Sequence, residues 1–194
     1  TPSEAWKSLD RVGKHFFKSE DKLLFRRWSV FKGSLFIKHL KNSNAQFEIG
    51  SYGTGNLPIL DAEGNEFCTL KIFNQSNILI KDLEITNFSE EAPMIRRGIY
   101  CHAEDAGEIK NIHFKGLKIS NINGRLSTDD GDLIGKSNCG IFSEITGINV
   151  LTRWNGYTME DCHFYRVYRH GTANLSSWQN RTLTTNTIWY PSIF

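Results

Sequence analysis

Arginine, histidine and aromatic residues cluster around two short glycine-containing stretches. An arginine can bind a carboxylate or sulfate through two parallel hydrogen bonds, and an imidazole titrates near neutral pH. A tryptophan offers a flat apolar face to a sugar ring. We therefore interpret these residues as a surface that binds an acidic polysaccharide, with the alternative that arginines cap turns and tryptophans pack beneath loops. The set comprises Arg96, Arg97, Tyr100 and His102 around Gly98, and Arg169, His170, Asn174, Trp178 and Arg181 around Gly171.

One chemistry that suits this cluster is β-elimination by a polysaccharide lyase. A lyase neutralises the uronate carboxylate, which acidifies the neighbouring ring proton, and a base then removes that proton. Arg97 or Arg169 would neutralise the carboxylate, and His102 or His170 would be the base. Basic and aromatic residues outnumber acidic ones in these stretches, which favours the lyase.

The alternative chemistry is glycoside hydrolysis, which needs two carboxyl groups. They lie about 5 Å apart for retention and about 6.5–9.5 Å apart for inversion. Glu104, Asp105 and the aspartates of a long insertion at residues 123–138 are the candidates. A third hypothesis is a non-catalytic carbohydrate-binding or adhesin-type solenoid, which would keep the aromatic and arginine contacts without a positioned base.

The insertion contains three aspartates, Asp129, Asp130 and Asp132. Long loops in compact folds are often functional, and these carboxylates could hold calcium or act as an acid or base. No glutamate completes the calcium-loop signature, so a solvated acidic turn is the alternative. No other cofactor is indicated.

Arg153 and Trp154 form a further candidate saccharide platform. The alternative is that Trp154 covers the flank of the fold.

Three similar segments, residues 77–88, 111–122 and 156–167, supply the elements that must position these side chains. In each, apolar residues alternate, shift by one at a polar pair, and alternate again, which predicts two short strands around a tight corner. Segments recurring at about 20–50 residues must stack to bury their apolar faces. Asn87 and Asn121 occupy the same place in two copies and predict a short asparagine ladder.

Each copy is followed by a glycine and a further strand, at Gly98, Gly140 and Gly171. Two strands around a corner, a variable connection and a third strand form one coil of a right-handed parallel β-helix. The sequence therefore predicts an all-β solenoid, with coils over residues 22–194 and a capping helix over residues 3–17, in which Trp6 and Phe16 would share the apolar face.

Composition is that of a single domain of 194 residues, with 39% hydrophobic and 23% charged residues. The formal net charge of +2 and its dispersed basic residues argue against a nucleic-acid partner. No apolar run reaches the roughly 20 residues of a membrane span. The four cysteines form no CxxC motif and are predicted to be small buried thiols rather than disulfides.

Four stretches of the sequence, residues 1–10, 21–26, 50–60 and 97–99, carry a family resemblance. Together they resemble the opening of secreted bacterial right-handed β-helix proteins of the pectate-lyase-like superfamily. The resemblance implies a groove for extended polysaccharides and a secreted, periplasmic or cell-surface location. Because that superfamily contains lyases, hydrolases and non-catalytic members, it leaves the chemistry open. The final residues read as the start of another strand, so we expect the solenoid to continue or another chain to cover its edge.

Overall fold

The computed structural model describes residues 9–18, 20–37, 45–125 and 137–176, and these form a right-handed parallel β-helix. Five successive coils each contribute one strand to each of three parallel sheets, A, B and C. Coil 1 contains β1 to β3, coil 2 contains β4 to β6, and this order continues to β15. The predicted fold class is confirmed.

The strands are short, and their bounds follow the chain order. Sheet A comprises β1 (Lys22–Arg26), β4 (Phe47–Tyr52), β7 (Ile78–Lys81), β10 (Glu108–Lys115) and β13 (Arg153–Glu160). Sheet B comprises β2 (Val30–Lys32), β5 (Ile59–Asp61), β8 (Glu84–Asn87), β11 (Lys118–Ile122) and β14 (His163–Val167). Sheet C comprises β3 (Leu35–Ile37), β6 (Cys68–Phe73), β9 (Arg97–Glu104), β12 (Cys139–Thr146) and β15 (His170–Ser176).

The polar pairs that interrupt the apolar alternation are the corners between sheets A and B. Asp82, Gly116 and Asp161 have positive φ angles of 53°, 59° and 51°. This left-handed conformation is cheapest for glycine and tolerated by aspartate. Each corner turns the chain so that the following strand again points its alternate side chains inward, as the sequence predicted.

The interior is a set of in-register apolar stacks. Ile78 pairs with Ile112 and Ile80 pairs with Phe114 across neighbouring coils, and all four side chains are at most 1% exposed. Full burial of such a side chain contributes roughly 1.5–3 kcal/mol. A coil alone would leave these faces in water, so the stacking of coils is what stabilises the fold.

The predicted asparagine ladder at Asn87 and Asn121 is wrong. Pairing shifts in register along β8 and β11, which sets Asn87 opposite Ile122. Asn87 is buried and its amide oxygen accepts from Gly64 N at 3.1 Å, whereas Asn121 has a left-handed conformation within β11, with φ 52°. The shift also leaves Phe88 41% exposed, although as the last apolar residue in the alternation of segment 77–88 it would point inward.

An asparagine stack does exist, but at the start of the repeat. The Asn111 amide Nδ2 donates to Asn77 Oδ1 at 2.8 Å, and both residues have positive φ angles. Gly156 holds the corresponding place in the next coil with φ 79°. The ladder therefore marks a left-handed irregularity that immediately precedes β7 and lies within the longer strands β10 and β13.

Within the described residues the helix α1 spans Leu9–Gly13, so it ends before the predicted residue 17. Leu9 and Val12 are buried against the first coil, whereas Phe16, expected on the same face, is 65% exposed. Phe17 packs instead, with its ring 5.1 Å from that of Phe47. Trp6 lies outside the described residues. Within those residues, no helix combines the length and apolar character needed to cross a bilayer.

All four cysteines are free thiols, as predicted, and Cys68, Cys101 and Cys139 are buried. Burial raises the pKa of Cys68 to about 11 and that of Cys139 to about 12. These thiols therefore remain protonated near neutral pH.

The recurrent glycine of sheet C lets the backbones of neighbouring coils approach closely. A Cβ on Gly98 would lie 2.6 Å from the carbonyl oxygen of Gly140 and 3.2 Å from Ile119 Cγ2. A Cβ on Gly140 would in turn lie 2.7 Å from the carbonyl oxygen of Gly171. Backbone atoms cannot move aside as a flexible side chain can, so the spacing of the coils requires glycine here.

We expect Gly98→Ala to lower the free energy of unfolding by roughly 1–3 kcal/mol, as overpacking of a filled interior does. Urea unfolding followed by circular dichroism measures the change. Gly13→Ala is the matched control, because its Cβ would meet no atom closer than 3.9 Å. Equal unfolding midpoints for Gly98→Ala and the unmodified protein would show that the coils can separate to admit a methyl group.

Candidate functional site

The outward side chains of β6, β9 and β12, which we call the sheet C face, gather most of the chemically versatile residues. Register places Lys71 beside Tyr100 and Phe142 in one row, and His102 beside Glu144 in the next. The alternating residues of β9, including Ile99, Cys101 and Ala103, point into the core. The face therefore combines residues from three successive coils that are far apart in the chain.

Tyr100 lies at the centre of this face. Its hydroxyl donates to Glu144 Oε2 at 2.5 Å, and its ring stacks on His102 with centroids 5.4 Å apart. Lys71 Nζ lies 5.1 Å from the ring centroid. Burial, together with the hydrogen bond to Glu144, raises the pKa of the Tyr100 phenol. The phenol thus stays protonated and fixes the position of the carboxylate.

Arg97 is a nearly buried cation, only 4% exposed. Its Cζ lies 4.0 Å from the ring centroid of Phe67, 4.5 Å from that of Tyr100 and 4.3 Å from that of Phe142. Burial lowers its pKa. Among the described residues, Nε and Nη1 have no hydrogen-bond partner. Unpaired buried donors are costly, so a ligand oxygen that accepted from them would be bound favourably.

Like Arg97, His102 has a buried nitrogen atom without a hydrogen-bond partner among the described residues. Its Nε2 lies 2.7 Å from Thr146 Oγ1, and its buried Nδ1 has no partner in the part of the chain that the structure describes. Burial lowers the pKa of His102, opposed by the negative charge of Glu144. The imidazole is therefore neutral near pH 7 and can exchange a hydrogen bond with a ligand.

The arginine–histidine pair expected for a lyase is not assembled on β9. Tyr100 comes between Arg97 and His102 along the strand, and its ring contacts both side chains. In β-elimination the cation and the base act on adjacent atoms of one sugar ring. The Tyr100 ring therefore lies between the two groups that would have to act together on one sugar ring.

Arg96 is buried in a structural network rather than on the sheet C face. Its Nη1 donates to Asn123 Oδ1 at 2.8 Å and its Nη2 donates to the Glu91 carbonyl oxygen at 2.8 Å. Its backbone N–H donates to Asn138 Oδ1 at 2.9 Å. These contacts fasten both flanks of the insertion to the connection before β9.

Arg153 and Trp154 lie in sheet A, away from the sheet C face. The Arg153 guanidinium binds Glu108 Oε2 at 2.6 Å and 3.0 Å, which contributes to lowering the pKa of Glu108 to about 2. Trp154 pairs in register with the buried Ile109 and packs against Tyr157 at 5.8 Å. The structure thus favours the flank-covering interpretation of Trp154.

The second predicted cluster is divided. His170 pairs with Cys139 at the edge of the sheet C face, and its buried Nε2 has no partner among the described residues. Asn174 stands in the row of Ser143 and Cys101, which point inward, so it does not join the face. Arg169 lies in the exposed turn before β15. Trp178, Arg181, Asp129, Asp130 and Asp132 lie outside the described residues.

Sequence reasoning missed Glu144 and Lys71. Glu144 could have been found, because extending the alignment of the Gly98 and Gly140 stretches by two residues sets it opposite His102. Lys71 carried no such signal, since Thr69 replaces the glycine in β6.

The comparisons with known proteins show a likeness in fold. No protein-family model matches the sequence, and no curated protein matches it. Two crystal structures of a GH136 lacto-N-biosidase from Eubacterium ramulus, a selenomethionine derivative and the native protein, superpose with TM-scores of 0.74 and 0.76. Identity is 21% in both, over 97% and 96% of this chain. The chain spans 35% of the length of those proteins, so the likeness concerns this part of their architecture.

We expect Arg97→Met to leave the free energy of unfolding unchanged or higher, because replacing a buried charge by an apolar residue of similar volume is often neutral or stabilising. Arg97→Ala should lower it by roughly 2–5 kcal/mol, as other large truncations in a packed cluster do. Urea unfolding of both variants tests this. An equal loss in the two variants would assign the guanidinium to structure rather than to a ligand.

We expect His102 to destabilise the fold in acid. Its pKa in the folded protein lies below the ordinary 6.5, so the unfolded chain binds more protons below that pH. Stability is then complete above about pH 6.5 and falls as the pH decreases towards the folded pKa. His102→Gln should lose less stability than the unmodified protein on acidification, measured by urea unfolding at several pH values. The exposed His163→Gln is the control, and identical pH profiles for all three proteins would contradict the assignment.

Proposed function

We propose that this chain belongs to a carbohydrate-active protein, that its sheet C face contacts the saccharide, and that the reaction is glycoside hydrolysis. The fold likeness to a lacto-N-biosidase supports the hydrolase over the lyase. The ring interposed between Arg97 and His102 supports the same choice.

The observation that carries the proposal is the fixed Glu144 carboxylate among unpaired buried donors. Tyr100 holds Glu144, while Arg97 and His102 present nitrogen atoms that have no partner among the described residues. A sugar has hydroxyl and ring oxygens that accept such donors, and the surrounding aromatic rings suit its apolar faces. Lys71 and Arg97 also favour a saccharide that carries a carboxylate or sulfate.

Glu104 is the second carboxylate, and the strand register brings it near Glu144. Glu104 lies opposite Thr146 and Glu144 lies opposite His102, so their Cα atoms are about 8 Å apart on the lattice of a parallel sheet. The Glu104 backbone N–H donates to Asn74 Oδ1 at 2.8 Å, which fixes the strand end. Both side chains point outward from neighbouring strands, so their carboxyl groups face the same surface, and a pair of carboxyl groups on one surface is what glycoside hydrolysis requires. We assign Glu144 and Glu104 as the pair in this part of the protein.

We expect Glu144→Gln to reduce hydrolysis by about 100-fold or more, in line with the loss of a group that acts in proton transfer or nucleophilic attack. The full-length protein would be incubated with a panel of acidic oligosaccharides and with neutral lacto-N-tetraose. New reducing ends report hydrolysis, and the ultraviolet absorbance of an unsaturated uronate reports elimination.

The matched control is Glu160→Gln, since Glu160 is an exposed glutamate of sheet A that pairs with Lys115. It should change the rate less than about twofold, because exposed ion pairs contribute little. Unsaturated products would instead support the lyase hypothesis. Saccharide binding without any cleavage would make the protein a binding module, and full activity in Glu144→Gln would remove the sheet C face from the reaction.

A further inference from the structure

The corner between sheets A and B is built differently in coil 1 than in coils 3 to 5. Those later coils place Asp82, Gly116 and Asp161 in the left-handed conformation. Coil 1 places Trp28 there, with φ 65°. A bulky side chain disfavours this conformation by roughly 1–2 kcal/mol. Backbone strain of this kind is often kept where a side chain must be presented in a particular way.

The surrounding loop is shaped to hold the indole. Gly55 has φ 102°, and a Cβ at this position would overlap the indole Nε1 of Trp28. The Trp28 backbone N–H donates to the Asn56 carbonyl oxygen at 3.1 Å, and Arg27 Nη1 donates to the Gly55 carbonyl oxygen at 2.9 Å. Trp28 is nevertheless 71% exposed. The indole is thus fixed in place by its backbone and by Gly55 while most of its surface faces solvent.

A cleft of about 580 Å³ opens beside this tryptophan. Its walls carry two guanidinium groups and no carboxylate, and Tyr52 in the wall is 39% exposed. Among the described residues, Arg26 forms no ion pair. The cleft therefore combines positive charge with exposed aromatic rings. It is lined by Arg26, Arg27, Trp28, Ser29, Tyr52, Gly53 and Thr54.

We propose that this corner is a second saccharide-binding site, specific for a sugar that carries a carboxylate or sulfate. Trp28 stacks on the sugar ring, and Arg26 binds the anionic group, which a guanidinium can do bidentately. The site lies at the corner between sheets A and B of coils 1 and 2, whereas the sheet C face spans coils 2 to 4. The inference stands on this corner alone and does not depend on hydrolysis at Glu144.

The test is calorimetric titration of the protein with sialyllactose, a sulfated galactose oligosaccharide and neutral lacto-N-tetraose. To isolate the corner, the titrations use Glu144→Gln as the background, which prevents turnover by the proposed hydrolase. Trp28→Asn should weaken binding of the anionic sugars by at least about tenfold, a loss equivalent to about 1.4 kcal/mol. Because asparagine tolerates the left-handed conformation, this variant should keep or raise the urea midpoint.

Arg26→Gln should weaken the anionic sugars and leave the neutral one unchanged. The matched control is Tyr165→Ala, since Tyr165 is an exposed aromatic residue beside Arg166 that does not line the cleft. Unchanged affinity in Trp28→Asn would overturn the proposal, as would equal binding of neutral and anionic sugars. A change of molecular mass in solution for Trp28→Asn, without any effect on sugars, would make the corner a protein contact instead. Loss of cleavage in the Glu144→Gln background tests only the proposed hydrolysis at the sheet C face. It does not affect the conclusion about saccharide binding at the corner.

Discussion

Hydrogen bonding between successive coils, in fixed register, is the constraint on which the rest of this structure depends. Every strand of one coil pairs in parallel with the equivalent strand of the next, so each inward row is continuous with the row above it. The same register controls the outer surface. Tyr100 reaches Glu144, its diagonal neighbour on the next strand, because the core residues Ile99 and Ile141 are paired and so are Ala103 and Ile145. The pairing of core residues thus determines which side chains meet on the outer surface.

This constraint also explains where polar groups are buried. At the corners, some backbone N–H and carbonyl groups have no partner in the ladder between coils. Side chains such as Asn87 and Asp105 form hydrogen bonds with these backbone groups. Backbone hydrogen bonds to Asn149 and Val150 lower the pKa of Asp105, so it remains an anion that ties two coils together. By contrast, Arg97 and His102 carry nitrogen atoms on the sheet C face, outside the ladder, that have no partner among the described residues.

Much of the fold could be predicted because its corners carry strong local signals. The Lys81–Asp82 corner and its two equivalents revealed the repeat, and Gly98 and Gly140 revealed the third sheet. The first two coils lack both signals. Their corners are longer, and the glycine of sheet C is replaced by Ser34 in coil 1 and by Thr69 in coil 2, so their periodicity is visible only as separate strands.

The candidate site was only partly predictable, for reasons of side-chain direction. Sequence proximity to Gly98 grouped Arg96 with Arg97, yet the first turns into a connection and the second onto the sheet C face. Trp154 looked like a platform, but its register with Ile109 points it towards the core. The shift at Asn87 likewise reversed the direction of Phe88. Such outcomes depend on pairing across coils, which composition and local pattern do not contain.

The Arg96 network has a consequence for how this architecture can diversify. Asn123 and Asn138 stand on either side of the long insertion, and both are bound by Arg96, whose other contacts reach the preceding connection. The Asn138 amide also donates to the Arg125 carbonyl oxygen at 2.6 Å. Both ends of the insertion are thereby anchored independently of what lies between them. The anchoring itself therefore places no demand on the length or sequence of residues 126–136, which makes this position one where an insertion can vary between related proteins.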